Sequence, residues 1–388
     1  MVMFLEAAFW SGVIVILYSY IGYPALLLLL NRLIPADKPL AENSRLPKVS
    51  LVIAAYNEEK VIDDKIRNSL EIDYPEGLFE VWVASDGSDD GTNGIVRKWA
   101  GKDGRVRLLE LPRSGKSEAI NRAMERISGE IAVFSDANTV YSPDSIKRLV
   151  RRFNDPRAGC VCGRLVYRNT GRAASGRGEG LYWRYETFLK VLESRLGFIA
   201  GANGAIYAIR KGLFEPLARG TINDDLVISM RIVRKGCRSV YEDKAVAYED
   251  VAPTVGSEFR RHVRDGAGHY LAAVHLIGLL NPFLGTRSLI YLSHRVLRWG
   301  APFLMIAMLF ANIALKGEPF YALLLIPHIG FYLLAFAGFF VIKTLPWPLP
   351  FFVYGPFYFC NLNLALFFGF LKALTGSQGA AWERTERA

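Results

Sequence analysis

Cysteine is scarce in this chain: Cys160, Cys162, Cys237 and Cys360 are the four in 388 residues. Their number and uneven spacing exclude a disulfide framework, and no second Cys pair or His-x3-His run joins Cys160 and Cys162 to make a zinc site. A reduced, cytosol-facing domain is the simplest reading. Histidine is nearly as rare, and His262, His269, His275, His294 and His328 do not fall at metal-ligand spacings; they read as interfacial or packing residues. Acidic residues are outnumbered, 37 against 47 Lys and Arg, which leaves a formal charge of +10. That surplus is spread along the chain without a module of stacking aromatics, so nucleic acid is excluded as a partner. A Gly-x-Gly-x-x-Gly turn is missing after the first strand-like run, which removes a dinucleotide-binding dehydrogenase.

Long apolar runs are what the chain has in excess. Hydrophobic residues make up 51% of it and aromatics 13%. Ala8 to Leu30 carries no charge and is long enough for one crossing of a hydrocarbon core about 30 Å thick. A cleaved signal peptide is the competing reading, but the run lacks a basic start and a small-x-small cleavage site. Leu297 to Leu315, Phe320 to Ile342 and Trp347 to Leu371 add three crossings, which makes four. Almost no charge or internal repeat lies within these runs, which argues against a transport path built from them alone. Nearly all the charge falls between residues 32 and 299. Its basic excess, with the clusters Arg32, Lys38, Arg45, Lys48 and Arg287, Arg295, Arg298 beside membrane runs, puts the middle on the cytoplasmic side of the inner (plasma) membrane. The expected organisation is an N-terminal membrane helix at 8–30, a cytosolic domain at 47–256, amphipathic helices at 257–296 and three membrane helices at 297–374. The helices at 257–296 either lie in the headgroup layer or pack on the soluble domain.

In the middle, Val49–Ala55, Glu80–Ala84, Val106–Leu111 and Ile131–Ser135 have strand length and composition. Helical stretches, Glu58–Ser69, Asn93–Ala100 and Glu118–Ile127, separate them. This alternation predicts an α/β domain with a mostly parallel, helix-covered sheet. Ligands of such sheets bind beyond the carboxyl ends of the strands. Three polar clusters stand there: Tyr56-Asn57-Glu58-Glu59, Ser85-Asp86-Gly87-Ser88, and Asp136-Ala137-Asn138. Asp136 and Asn138, two apart, can offer two oxygens to a hard divalent cation that also holds a diphosphate. The alternative is a turn that introduces the helix after Ser142-Pro143-Asp144.

The succession Ala55-Tyr56-Asn57-Glu58-Glu59, Ser85-Asp86-Gly87-Ser88, Gly115-Lys116-Ser117 with Asn121, Ser135-Asp136-Ala137-Asn138, Gly201 to Arg210 and Asn223-Asp224-Asp225 resembles inverting family 2 glycosyltransferases of the GT-A fold. It spans about residues 47 to 265. With the flanking membrane runs it is similar to the branch containing hyaluronan, chitin and cellulose synthases. The resemblance implies that Ala55, Tyr56, Asn57, Glu58 and Asp86 hold the base end of a nucleotide-sugar donor, most simply a UDP-sugar. It implies that Lys116, with Arg261, contacts the nucleotide and that Asp136 and Asn138 hold Mg2+ or Mn2+. Asp225 becomes the catalytic base, favoured as a carboxylate at a helix N-terminus. Asp224 and the turn Gly201-Ala202-Asn203 then shape the acceptor site, and Tyr182, Trp183, Tyr185 and Glu186 either line its channel or pack.

Two departures from the family pattern carry information. Asn138 stands where the family has a second Asp, so the metal pair has one charge fewer. Processive members carry Gln-x-x-Arg-Trp, whereas this chain has Arg261-His262-Val263-Arg264-Asp265. Arg264 keeps the position that stabilises the leaving diphosphate. Asp265 removes an aromatic platform for a sugar, which is worth about 0.5–1.5 kcal/mol by analogy with aromatic pairs. Transfer of one or a few sugars to a lipid-linked or glycan acceptor in the bilayer is therefore the expectation. The alternatives are a processive synthase that extrudes its polymer and a non-catalytic subunit working with export partners.

Overall fold

A computed structural model describes residues 1–34, 45–168, 176–250, 254–344 and 351–376. Lys38 and the start of the last apolar run at Trp347 lie outside these residues. Eight strands form one sheet: β1 (Val49–Ala55), β2 (Phe79–Asp86), β3 (Val106–Leu111), β4 (Ile131–Asp136), β5 (Val140–Tyr141), β6 (Ala158–Arg168), β7 (Tyr207–Arg210) and β8 (Arg238–Asp250). Their order is β3-β2-β1-β4-β7-β6-β8-β5. The β3-β2-β1-β4 half is wholly parallel. Beyond β4 the sheet is mixed: β7 is antiparallel to both β4 and β6, β6 and β8 are parallel, and β5 runs against β8. The sheet is therefore parallel in the half legible from the sequence and mixed in the other.

The helices, in chain order, are α1 (Val2–Leu17), α2 (Tyr23–Leu33), α3 (Ile62–Leu70), α4 (Thr92–Lys102), α5 (Lys116–Arg126), α6 (Ser145–Arg152), α7 (Gly176–Arg195), α8 (Asp224–Arg234), α9 (Val255–His275), α10 (Thr286–Tyr291), α11 (Leu297–Ala314), α12 (Pro319–Thr344) and α13 (Phe351–Thr375). Alternate residues of β1 enter two separate cores. Leu51 and Ile53 pack with Ile62 and Ile66 of α3 and Ile146 of α6. Val52 and Ala54 pack with Ile120 of α5 and Ile228 of α8. A period of two along a strand buried on both faces produces this division.

Among the described residues four helical runs are long and apolar enough to cross a membrane: Val2–Leu33, Thr286–Ala314, Pro319–Val341 and Phe352–Thr375. The second begins at Thr286 rather than at Leu297, because α10 and α11 are joined through a π turn, Leu292–Val296, without a break. A second π turn, Tyr18–Gly22, joins α1 to α2. The two turns meet, with Tyr18 Oη 2.8 Å from Ser293 Oγ. Small residues let the membrane helices approach their neighbours. A Cβ on Gly369 of α13 would stand 2.7 Å from the Ala267 nitrogen and 2.8 Å from the Val263 oxygen of α9. The last membrane helix thus lies directly on the backbone of the helix that carries Arg261 and Arg264.

Candidate active site

Register brings the strand-end clusters to one level: Ala54 pairs with Asp136 and Ala55 with Ser85. A cavity of about 760 Å³ opens there and runs to the membrane helices. Lys116, the first residue of α5, reaches across it. Its Nζ lies 3.2 Å from Asp136 Oδ1 and 3.2 Å from Asp224 Oδ1. Burial opposes a charge on Lys116, but Asp136, Asp224 and Asp225 outweigh burial and hold its ammonium protonated. Asp225 shares the N-terminus of α8 with Asp224. Burial, and then the charge of Asp224, push the Asp225 carboxyl up to about 7. Asp224 is raised too, first by burial and against the pull of Lys116.

These groups converge on Gly204. A Cβ there would lie 3.5 Å from Asp136 Oδ2, 3.7 Å from Asp225 Oδ2 and 3.8 Å from Lys116 Nζ. The missing side chain leaves a cradle with carboxylates on both sides. Three acids around one ammonium leave an uncompensated negative charge, which suits a divalent cation. Asp136, with Asn138 beside it on the cavity wall, would hold that ion. Asn138 Nδ2 donates to Glu249 Oε1 at 3.0 Å, which fixes the amide. Among the described residues no three His, Cys, Asp or Glu side chains form a self-sufficient metal cage. A Mg2+-type site with one or two protein ligands and substrate phosphates matches this donor set.

The donor-end residues divide. Tyr56, Glu58, Lys116, Asp136 and Arg261 line the cavity, as does Arg264. Asp86 is fully buried, and its carboxylate accepts from Ser114 N at 2.6 Å, from Gly115 N at 2.9 Å and from Arg113 Nη1. The Arg113 guanidinium lies 3.4 Å over the Tyr56 ring. Asp86 thus holds the turn into α5 and an arginine stacked on Tyr56. Arg113 escaped the sequence reading because it lies between recognisable motifs. Asn57, at φ 53°, turns its amide to the β2–α4 loop, donating to Asp89 Oδ1 at 2.6 Å. The Ala55 side chain is buried in the core.

At the turn expected to shape the acceptor site, Gly201 has φ +106°, and Ala202 N donates to Ser229 Oγ at 3.0 Å. Asn203 spends its side chain on the turn, donating to the Gly163 carbonyl at 3.1 Å and accepting from Ile206 N at 3.2 Å. Beyond the turn the cavity has aromatic walls, including Tyr182, Trp183, Tyr185 and Tyr358. Asp265 lies on α9 beside Arg264, Nη2 to Oδ1 3.3 Å, and burial of its carboxylate is outweighed by Arg264 and Arg261, which keep it ionised.

His294 is more than a packing residue. It is fully buried, with Nδ1 2.6 Å from Glu193 Oε1 and Nε2 3.1 Å from Glu186 Oε2. Glu193 also accepts from Tyr23 Oη at 2.6 Å and from Ala200 N at 3.0 Å. Arg298 Nη1 donates to Glu186 Oε1 at 2.9 Å. The sequence signal was limited to His294, Arg295 and Arg298 inside one apolar span; the partners Glu186 and Glu193 lie on α7, remote in sequence. His269 lies against Trp299, ring centroids 5.1 Å apart.

A parallel half-sheet with acids gathered at its carboxyl edge, continued by a mixed half and a helix opening on Asp224-Asp225, is the architecture of the GT-A fold. Residues 50–215 match the profile described as glycosyl transferase family 2. Among curated relatives, the beta-monoglucosyldiacylglycerol synthase of Trichormus variabilis is 27% identical over 230 residues, 58% of this chain and 49% of its own length. The poly-beta-1,6-N-acetyl-D-glucosamine synthase of Staphylococcus epidermidis is 25% identical over 233 residues, 59% of this chain and 56% of its own. The chain thus spans about half the length of the curated relatives it matches. A mannosyltransferase from Pyrobaculum calidifontis, solved in complex with GDP-Man and Mn2+, shares the fold with a TM-score of 0.67 and 21% identity. That similarity covers 96% of this chain and 97% of the other.

Proposed function

We propose that this protein transfers a sugar, with inversion, from a nucleotide-sugar to an acceptor held at the membrane, for glycolipid or polysaccharide synthesis. The observation that carries the reading is the Gly204 cradle, in which Asp136, Asp225 and Lys116 surround one open point in a cavity continuous with the membrane helices. Asp225 takes the proton of the acceptor hydroxyl. The freed oxygen forms a bond to the anomeric carbon from the face opposite the diphosphate, as the bond to the nucleotide breaks. Lys116 and Arg264 stand where negative charge accumulates on the leaving nucleoside diphosphate. Asp136 and Asn138 would hold a Mg2+ or Mn2+ ion, which would supply Lewis-acid neutralisation of that charge. Asp265, in place of an aromatic platform, favours short products over a long polymer. The basic flanks of the membrane runs support a cytoplasmic active site in the inner membrane.

Nucleotide release from a panel of UDP-, GDP- and dTDP-sugars by the detergent-purified protein with Mn2+, with and without lipid extract, tests the proposal. Lipid-dependent release from one donor with a short glycolipid product is expected. A long polymer overturns the non-processive part, and no release from any donor overturns the enzymatic reading.

A further inference from the structure

The membrane-side end of the cavity carries positive groups that the transfer chemistry above does not use. Arg295 lies in the π turn Leu292–Val296, within a helix apolar enough to span a membrane. An arginine there is costly unless it faces protein or a polar ligand. Its Nε donates to the Ala200 carbonyl, and its Nη2 lies 3.4 Å from where a Gly201 Cβ would stand. Its Nη atoms make no hydrogen bond among the described residues, and the side chain lines the cavity. One turn on, Arg298 also lines the cavity; its Nη1 and Nη2 donate to Glu186 Oε1 and Tyr185 Oη at 2.9 and 3.0 Å, and its buried Nε has no partner. His269 Nδ1, on the facing helix, is likewise buried and unpartnered. A buried arginine N–H left open, beside a second guanidinium whose Nη atoms face the same cavity, marks the place of an absent acceptor, and guanidinium groups match phosphate oxygens.

We infer that the acceptor carries a phosphate next to its lipid anchor, and that Arg295 and Arg298 hold this phosphate while the acceptor hydroxyl lies at Asp225. The inference rests on the proposed transfer to a membrane acceptor.

Trp183 and Trp299 line the cavity, so their fluorescence reports occupancy. The probes are farnesyl phosphate, farnesol and inorganic phosphate, titrated into the purified full-length protein, with UDP and GDP plus Mn2+ titrated separately. Farnesyl phosphate should bind about tenfold tighter than farnesol, from one charge-assisted pair. In R295Q that preference should vanish while nucleotide affinity is unchanged, and R295K should keep part of it. Equal binding of farnesol and farnesyl phosphate overturns the inference. So does an R295Q variant that loses nucleotide affinity in step, which would move Arg295 to the donor. Inorganic phosphate competing as well as farnesyl phosphate would overturn the lipid source. A wild type that binds neither nucleotide counts against the proposed function instead, and leaves the lipid titration to judge the phosphate site alone.

Discussion

Replacing Gly204 by Ala separates folding from chemistry. The backbone of Gly204 is outside the left-handed region, so alanine adopts it without strain. The added methyl meets Asp136 Oδ2 at 3.5 Å, Asp225 Oδ2 at 3.7 Å and Lys116 Nζ at 3.8 Å, all ordinary contact distances. The fold should therefore gain about 0.4–1 kcal/mol, through a less flexible unfolded chain. The same methyl occupies the point that reacting groups must share between the two carboxylates. Displacing them by about 1 Å costs about 10²-fold in rate. The assay is nucleotide release at saturating donor, with thermal unfolding in the same buffer. Gly201→Ala is the contrast: φ is +106° and Leu226 Cδ1 would be 2.6 Å away, so that variant should lose stability. A Gly204→Ala protein with wild-type turnover would refute the placement of the reaction at this cradle.

Asp225→Asn should abolish transfer while leaving nucleotide binding intact, measured by release assay and titration. Asp136→Ala should weaken Mn2+-dependent nucleotide binding, so an unchanged Mn2+ titration counts against that site. Since the Asp225 carboxyl is raised to about 7 from an unfolded value of about 3.9, the folded protein binds the extra proton between these values. Stability should accordingly fall as pH rises from 4 to 7, while kcat/KM rises and levels off above about 7; a flat rate profile over this window would count against a base with a raised carboxyl at Asp225. Glu193→Gln keeps the shape but sets an amide donor against Tyr23 Oη, His294 or Ala200 N, and should cost about 1–3 kcal/mol in denaturant unfolding.

The parallel half of the sheet was legible because its strands are short apolar runs bounded by turn residues, and β1 and β3 fall where the pattern puts them. The helix after β1 starts at Ile62 rather than Glu58, because Glu58 N and Glu59 N are held by Thr92 Oγ1 and Asp90 Oδ2 of the next loop. β6 was hidden by Gly159 and Gly163, which weaken a strand signal. Both are demanded by packing, since a Cβ would come within 2.7 Å of Ile232 and 2.6 Å of the Ala245 oxygen respectively. Among the site residues, Asp136, Asp224, Asp225 and Lys116 could be found as a set, because each stands next to an element boundary. Arg113, Arg295 and the partners of His294 could not: their roles depend on contacts between segments remote in sequence.

Glu193 ties the Ala200–Gly201 turn to Tyr23 on one membrane helix and to His294 on another through bonds of 2.6–3.0 Å. The position of that turn relative to the two apolar helices is therefore set like the stop of a gauge. Under the proposed transfer, an acceptor anchored beside those helices would reach Asp225 only if the spacer between its anchor and its hydroxyl matched that position, so the length of the spacer would become a criterion of selection independent of the chemistry of the sugar.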